Sequence, residues 1–324
     1  METLIQLEFY TSKQPVHRQS FLSTPSSHRH SEVMEPSEPL TALVLVAKSP
    51  RSGTSKTRLT RQLAALASNA AAAPTTQAQL DAAQQWTEAL SRASVKDLIS
   101  RLTVDSYRRV LLYAPPDDAA RAYFAELLRE VVPGGEGEAS WMLMPVLAGS
   151  NPRSSDLSSV LSDALTRVRT TTGCMRVAFL GSDCPELPLA SVDAATEAAK
   201  EQRIASLCPA SDGGYTFLAL PAEADPSRVF EAVHWSATDT ALSQLAALSR
   251  SGLLCHVGPT HSDIDELDDL RALAARLRGT ERTEQCPHTA ALCAEIRHVI
   301  DPGGAAEEDR DRVAGVDEDS TGAT

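Results

Sequence analysis

The 324-residue chain lacks any apolar run near the roughly 18 to 20 residues that would span a bilayer. Its start also lacks the charged-then-apolar layout of a secretory signal. The expectation is a soluble, cytoplasmic protein. Organelle targeting by the Ser/Thr/His-rich leader stays open, although Glu2 and Glu8 sit badly in an acid-poor transit peptide. Aromatic residues make up only 4%, which suits an aliphatic α/β core better than a β-sandwich. Positive charge is short as well: 30 Lys and Arg face 43 Asp and Glu, a net charge of -13 that argues against broad nucleic-acid binding. Residues 301–324 hold eight acids and two Arg, so -6 of that is local and -7 remains for the body.

The six cysteines show no C-x-x-C spacing, as expected of buried free thiols in a reducing compartment. In "CPHTAALCAEIRH" a helix would turn about 140° at each five-residue step, so Cys286, His288, Cys293 and His298 diverge and are not expected to hold zinc. Cys184 reads as a small buried residue rather than a reactive thiol. No nucleophile elbow or Ser-His-Asp set is present.

What the chain does have is alternation. Residues 1–40 read as a disordered leader, 41–300 as one folded domain, and 301–324 as a disordered acidic tail. Within the domain the apolar runs "TALVLVA", "RVLLYA", "WMLMPVL", "MRVAFLG", "RIASLCP", "YTFLAL" and "LLCHVG" have strand length. Helical patterns cover 56–68, 77–100, 117–130, 156–170, 186–201, 236–250 and 266–278, with an Ala-rich stretch broken at Pro74. This order predicts an α/β fold: a mostly parallel sheet with helices on both faces.

In such a sheet, ligands sit beyond the carboxyl ends of the strands. The first exit, "KSPRSGTSKTRL", carries Lys48, Arg51, Lys56 and Arg58. It is not a P-loop, because Ser55 stands where a glycine must precede the lysine. Three later exits deliver carboxylates: Asp183 in "GSDCPELP", Asp212 in "PASDGGY", and Asp263 with Asp265 in "PTHSDIDELDDL". Cations for phosphate oxygens, facing carboxylates for a divalent ion, suit a nucleoside triphosphate or nucleotide-sugar with Mg²⁺ or Mn²⁺. Cations at the start of a helix oppose its dipole and are best explained by an anion there. Asp183, Asp263 and Asp265 could equally cap helices, and Asp212 with Gly213 is what a tight turn wants. Tyr215 and Trp235 could stack a ring, though aromatic residues more often serve the core.

In order, "AKSPRSGTSKTRL", "GSDCPEL", "PASDGGYTFLAL" and "DIDELDDL" resemble the motifs of the radical-SAM/selenodomain-associated transferase type 1 family. More distantly, the layout is similar to 2-phospho-L-lactate guanylyltransferase and molybdenum-cofactor guanylyltransferases. The resemblance covers about residues 41–278 and implies a GT-A, nucleotide-diphospho-sugar transferase fold. It implies that Lys48, Gly53, Lys56 and Arg58 form the nucleotide-phosphate loop and that Asp183 binds the metal, with Asp263 beside it. Gly213, Gly214 and Tyr215 would close the acceptor side, and Asp212 and Asp265 would be catalytic. "HWSAT" at His234 to Thr238 resembles the family's W-S-T segment, whereas "SNPRSSDLSSVLSDAL" keeps only Asp156 and Leu157 of its G-D-L-G-x-R. The activity implied is metal-dependent transfer from a nucleotide-sugar to a small acceptor. Nucleotidyl transfer with release of pyrophosphate, or a degenerate nucleotide-binding protein, are the alternatives.

Overall fold

A computed structural model describes residues 41–51, 55–66, 75–132, 134, 137–147, 157–279 and 281–301, all within one compact unit spanning Pro39–Thr324. The expected leader, the tail beyond Asp301, Gly53, the break at Pro74 and Asp156 lie outside the described residues.

The seven apolar runs are the seven strands: β1 (Thr41–Lys48), β2 (Arg108–Ala114), β3 (Trp141–Pro145), β4 (Arg176–Gly181), β5 (Ile204–Pro209), β6 (Tyr215–Leu220) and β7 (Leu254–Val257). They form one sheet in the order β3-β2-β1-β4-β6-β5-β7. Six strands run the same way, and β6 runs against both its neighbours. The cause is local. Only the short turn "ASDGG" joins β5 to β6, and a parallel return needs a crossover of a dozen residues or more. The reversal places Tyr215, the first residue of β6, at the same edge as the carboxyl ends of the other six strands.

Alternation along each strand feeds two core layers. Leu43, Leu45, Leu111, Tyr113 and Leu180 face one side, covered by α2 (Gln77–Leu102), α3 (Asp118–Val131) and α6 (Leu189–Ala198). Val44, Val110, Leu112, Val177 and Phe179 face the other, covered by α5 (Leu157–Thr172) and α7 (Thr240–Arg250). With both faces buried, the strands read as unbroken apolar runs. Removing one such side chain, as in Leu45→Ala, would cost about 3 kcal/mol.

A third cluster lies apart from these layers. Leu59 and Leu63 of α1 (Thr57–Leu66) pack with Leu270 and Leu273 of α8 (Leu267–Arg276), together with Leu292 and Ile300 from the chain's last helices. Those are α10 (Pro287–Glu295) and α11 (Arg297–Ile300), preceded by α9 (Glu281–Gln285); a further single turn, α4 (Gly137–Ser140), precedes β3. Asp97 on α2, 1% exposed, fixes this cluster by accepting the His288 and Thr289 backbone N–H groups at 3.0 and 2.8 Å. A carboxylate at the first turn of α10 satisfies orphan donors and meets the positive end of the helix dipole. Arg101, one turn further along α2, donates to the carbonyls of Pro185, Leu187 and Gln285.

Candidate active site

The carboxyl edge of the sheet opens into a cavity of about 670 Å³. Its described walls come from β1, β4 and β6, from the first turns of α1 and α5, and from residues 235–238 ahead of α7.

Three carboxylates gather at this cavity. Asp212, Asp263 and Asp265 each offer an oxygen, and the three oxygens lie within 4.8 Å of one another. Each is held by a local device. Asp212 Oδ1 accepts the Gly214 N–H at 2.7 Å, closing the β5–β6 turn. Gly213 in that turn has φ +94°, and a Cβ there would overlap the Thr238 carbonyl, so only glycine allows residues 236–238 to lie against it. Asp263 and Asp265 flank Ile264, which is 1% exposed and belongs to the helical cluster. Burying the middle residue of Asp-Ile-Asp turns both neighbours away from the packing, as alternation in an extended chain dictates.

Crowding shows in their protonation. Burial, then the nearby Asp212, with Asp265 and Asp183 adding, pushes the Asp263 carboxyl up to about 6. Burial also raises Asp265, with Asp183 and Asp212 adding to the rise and Lys56 and Arg58 opposing it. A hard dication would relieve this repulsion. Three carboxylate oxygens from two loops are a donor set that fits Mg²⁺ or Mn²⁺.

Lys56 and Arg58 both line the cavity, in different states. The Lys56 side chain is 6% exposed; its Nζ lies 2.5 Å from Asp183 Oδ1 and donates to the Ile264 carbonyl at 2.6 Å. Its backbone sits at φ +47°, a conformation that costs a non-glycine residue about 1 to 2 kcal/mol. The two contacts that this backbone permits offset that strain. Arg58 is exposed and lies 3.7 Å from Glu266, a loose surface pair.

The residues expected at the site are thus distributed differently from the sequence reading. Asp183 and Asp263 were paired there as metal ligands, with Asp212 and Asp265 as catalytic groups. The structure brings Asp212, Asp263 and Asp265 into one group and sets Asp183 against Lys56, outside the described lining. Lys48 is exposed at the end of β1 and does not line the cavity. Arg51 binds Asp117 at 2.6 Å, holding that carboxyl below its usual range; Asp117 also caps α3 through the Ala120 N–H. Gly214 and Tyr215 line the cavity, and Gly213 shapes the turn behind them. Cys184 is buried, and that burial pushes its thiol up to about 12, as befits an inert residue. No metal-compatible group other than the three aspartates occurs among the described residues, the Cys/His stretch at 286–298 included.

Sequence reasoning missed the cavity's other half. Val46, Leu161, Phe179 and Leu218 line it, and each belongs to or packs against the α5/α7 core layer. Tyr215 and Trp235 join them, rings 6.2 Å apart and tilted by 57°. Their polar tips are taken up by the framework: the Trp235 Nε1–H donates to Ser158 Oγ at 2.8 Å, and the Tyr215 hydroxyl donates to Gln244 Oε1 at 3.2 Å. Burial holds the Tyr215 phenol well above its usual range.

Among solved structures, one described as a "putative nucleotide-diphospho-sugar transferase" from Desulfovibrio desulfuricans G20 matches with TM-score 0.63 at 22% identity, covering 80% of this chain and 96% of that one. The chain has the nucleotide-diphospho-sugar transferase fold. A cytidylyltransferase from Leptospira borgpetersenii serovar Hardjo-bovis matches at TM-score 0.44 and 11% identity, over 81% of this chain and 96% of that one. A family profile described as "Uncharacterized protein conserved in bacteria (DUF2064)" matches residues 98–237, a span that holds Asp183 and Asp212 and stops before Asp263. A search of curated proteins returns no match. No described helix is long and apolar enough to cross a membrane.

Proposed function

We propose that the protein is a metal-dependent transferase that takes a nucleotide-sugar as donor and passes a group to a small acceptor. The observation that carries this reading is the meeting of Asp212, Asp263 and Asp265 at a cavity also bordered by Lys56, Arg58 and the first turn of α1. The fold agrees, as does the order of motifs that resembles the radical-SAM/selenodomain-associated transferase type 1 family.

The three carboxylates would hold Mg²⁺ or Mn²⁺, which when bound neutralises charge on phosphate oxygens and on the departing group. Arg58 and the N–H groups at the start of α1 would orient the same phosphates, and the helix dipole there favours their charge. Lys56 keeps the Asp263–Asp265 loop against α1 through the Ile264 carbonyl. An oxygen of Asp265 or Asp212 not engaged by the metal would take the proton of the acceptor hydroxyl.

The deciding experiment titrates nucleoside diphosphates, triphosphates and nucleotide-sugars calorimetrically with and without Mn²⁺, and identifies the product released from any donor consumed. Released nucleoside diphosphate supports the glycosyl version, and pyrophosphate the nucleotidyl one. Binding with no donor consumed would leave a nucleotide-binding protein, and no Mn²⁺-dependent binding at all would end the proposal.

A further inference from the structure

The cavity is divided by charge. Its ionisable described lining residues, Tyr215 apart, are Lys56, Arg58, Asp212, Asp263 and Asp265. The three aspartates form one group, and Lys56 and Arg58 both act electrostatically on Asp265, so the five sit together. The remaining wall, built from Val46, Leu161, Phe179, Tyr215, Leu218 and Trp235, continues the α5/α7 core layer and carries no charge. At this end the aromatic pair offers ring surface, because its N–H and O–H groups are spent on Ser158 and Gln244. The two rings pack against each other, 6.2 Å apart and tilted, and both also line the cavity.

We infer that the uncharged end is a subsite for a neutral planar ring, stacked on Trp235 and Tyr215, whose own phosphate or carboxylate groups, if any, point to the charged end, towards Arg58 and the start of α1. This deepens the transferase reading and rests on the cavity being its substrate site. The physical ground is desolvation. An anionic ring substituent placed among Phe179, Leu161 and Leu218 would lose its hydration with no cation to replace it, whereas a neutral ring buries apolar surface there. Residues 236–238, which follow Trp235 and line the cavity, are held with Ser236 at φ +57° and Thr238 against Gly213. A backbone held in that region is stored strain of the kind found where a ligand is clamped.

The chemistry has two sources, a nucleobase or an aromatic acceptor, and one experiment separates them. Trp235 is one of three tryptophans, and Trp141 is buried at 1% exposure, so a ring stacking on Trp235 is readable as fluorescence quenching that a Trp235→Phe variant abolishes. The probes are uridine, cytidine, adenosine and guanosine, and phenol with its 4-carboxylate, each titrated with and without saturating Mn²⁺ and nucleoside diphosphate. Quenching by a nucleoside that the diphosphate displaces assigns the end to the nucleobase. Quenching by phenol that persists with the diphosphate bound assigns it to the acceptor. Either result supports the subsite, with Trp235→Ala weakening the probe about tenfold and Trp235→Phe, which keeps a ring, less, when both are followed by calorimetry. Equal affinity for phenol and its carboxylate, or absence of quenching by every neutral ring, would overturn it. Quenching by a neutral ring alone needs no metal, diphosphate or turnover, so the subsite stands or falls separately from the transferase reading.

Discussion

Lys56 Nζ lies 2.5 Å from Asp183 Oδ1 and 2.6 Å from the Ile264 carbonyl oxygen, so one buried ammonium joins the exits of β1 and β4 to the loop bearing Asp263 and Asp265. Lys56→Met leaves that carbonyl without its donor. The expected loss is about 2 kcal/mol of stability, measured by urea unfolding, with weaker Mn²⁺ binding. Retention of full stability would show the contact to be dispensable.

Asp263 carries a pH signature. Its carboxyl, at about 6, lies above the ~3.9 of an unfolded Asp, so the folded state holds the proton more tightly. That contribution is fully present below about pH 4 and is lost as pH rises through about 6. Asp263→Asn should therefore raise the metal-free Tm at pH 8 by roughly 2 °C, and by less at pH 4. A shift equal at both pH values would contradict the crowding described.

Asp212→Asn and Asp265→Asn each remove one charged donor. Mn²⁺ affinity, followed by electron paramagnetic resonance, should fall about tenfold or more in each variant, and metal-dependent turnover about a hundredfold. Unchanged affinity in both would dissolve the grouping. Asp183→Asn should cost less in affinity, because Asp183 is paired with Lys56 and lies outside the group of three oxygens, acting on it only through its charge.

Gly213→Ala brings a methyl into the Thr238 carbonyl and keeps an unfavourable φ of +94°. A cost of about 3 kcal/mol is expected, together with displaced 236–238 backbone and lost protection of the Ala241 N–H, which donates to the Gly213 carbonyl at 2.9 Å. Hydrogen exchange at Ala241 reads this directly.

Asp97→Ala strips the cap from α10 and leaves the half-buried His288 N–H and the buried Thr289 N–H unmatched. The variant should lose about 3 kcal/mol while binding at the cavity persists in the folded fraction. Asp97→Asn, which keeps one acceptor oxygen, should lose less.

The strands were legible because parallel strands buried on both faces write themselves as apolar runs, and each of the seven was found. The seven longer helices followed from their periodicity. Their ends shifted where caps decide: Asp117 puts the start of α3 at residue 118, and the turns after Ser182 delay α6 to Leu189. The antiparallel course of β6 was within reach, since five residues cannot make a crossover. What was hidden was partnership. Nothing local in "SKTRL" announces that Lys56 will meet Asp183 and Ile264, for the contact depends on how α1 and α8 pack. The apolar half of the cavity was hidden for the opposite reason: Val46, Phe179 and Leu218 at strand ends look the same in sequence whether they meet a helix or a ligand.

Ile264 shares its packing with Ile296 and Ile300, which come from the last described stretch of the chain. Any grip that the three aspartates take on a dication would therefore report how firmly the final helices are seated. Shaving a methyl from Ile300 would register at the aspartates without altering a single ligand atom.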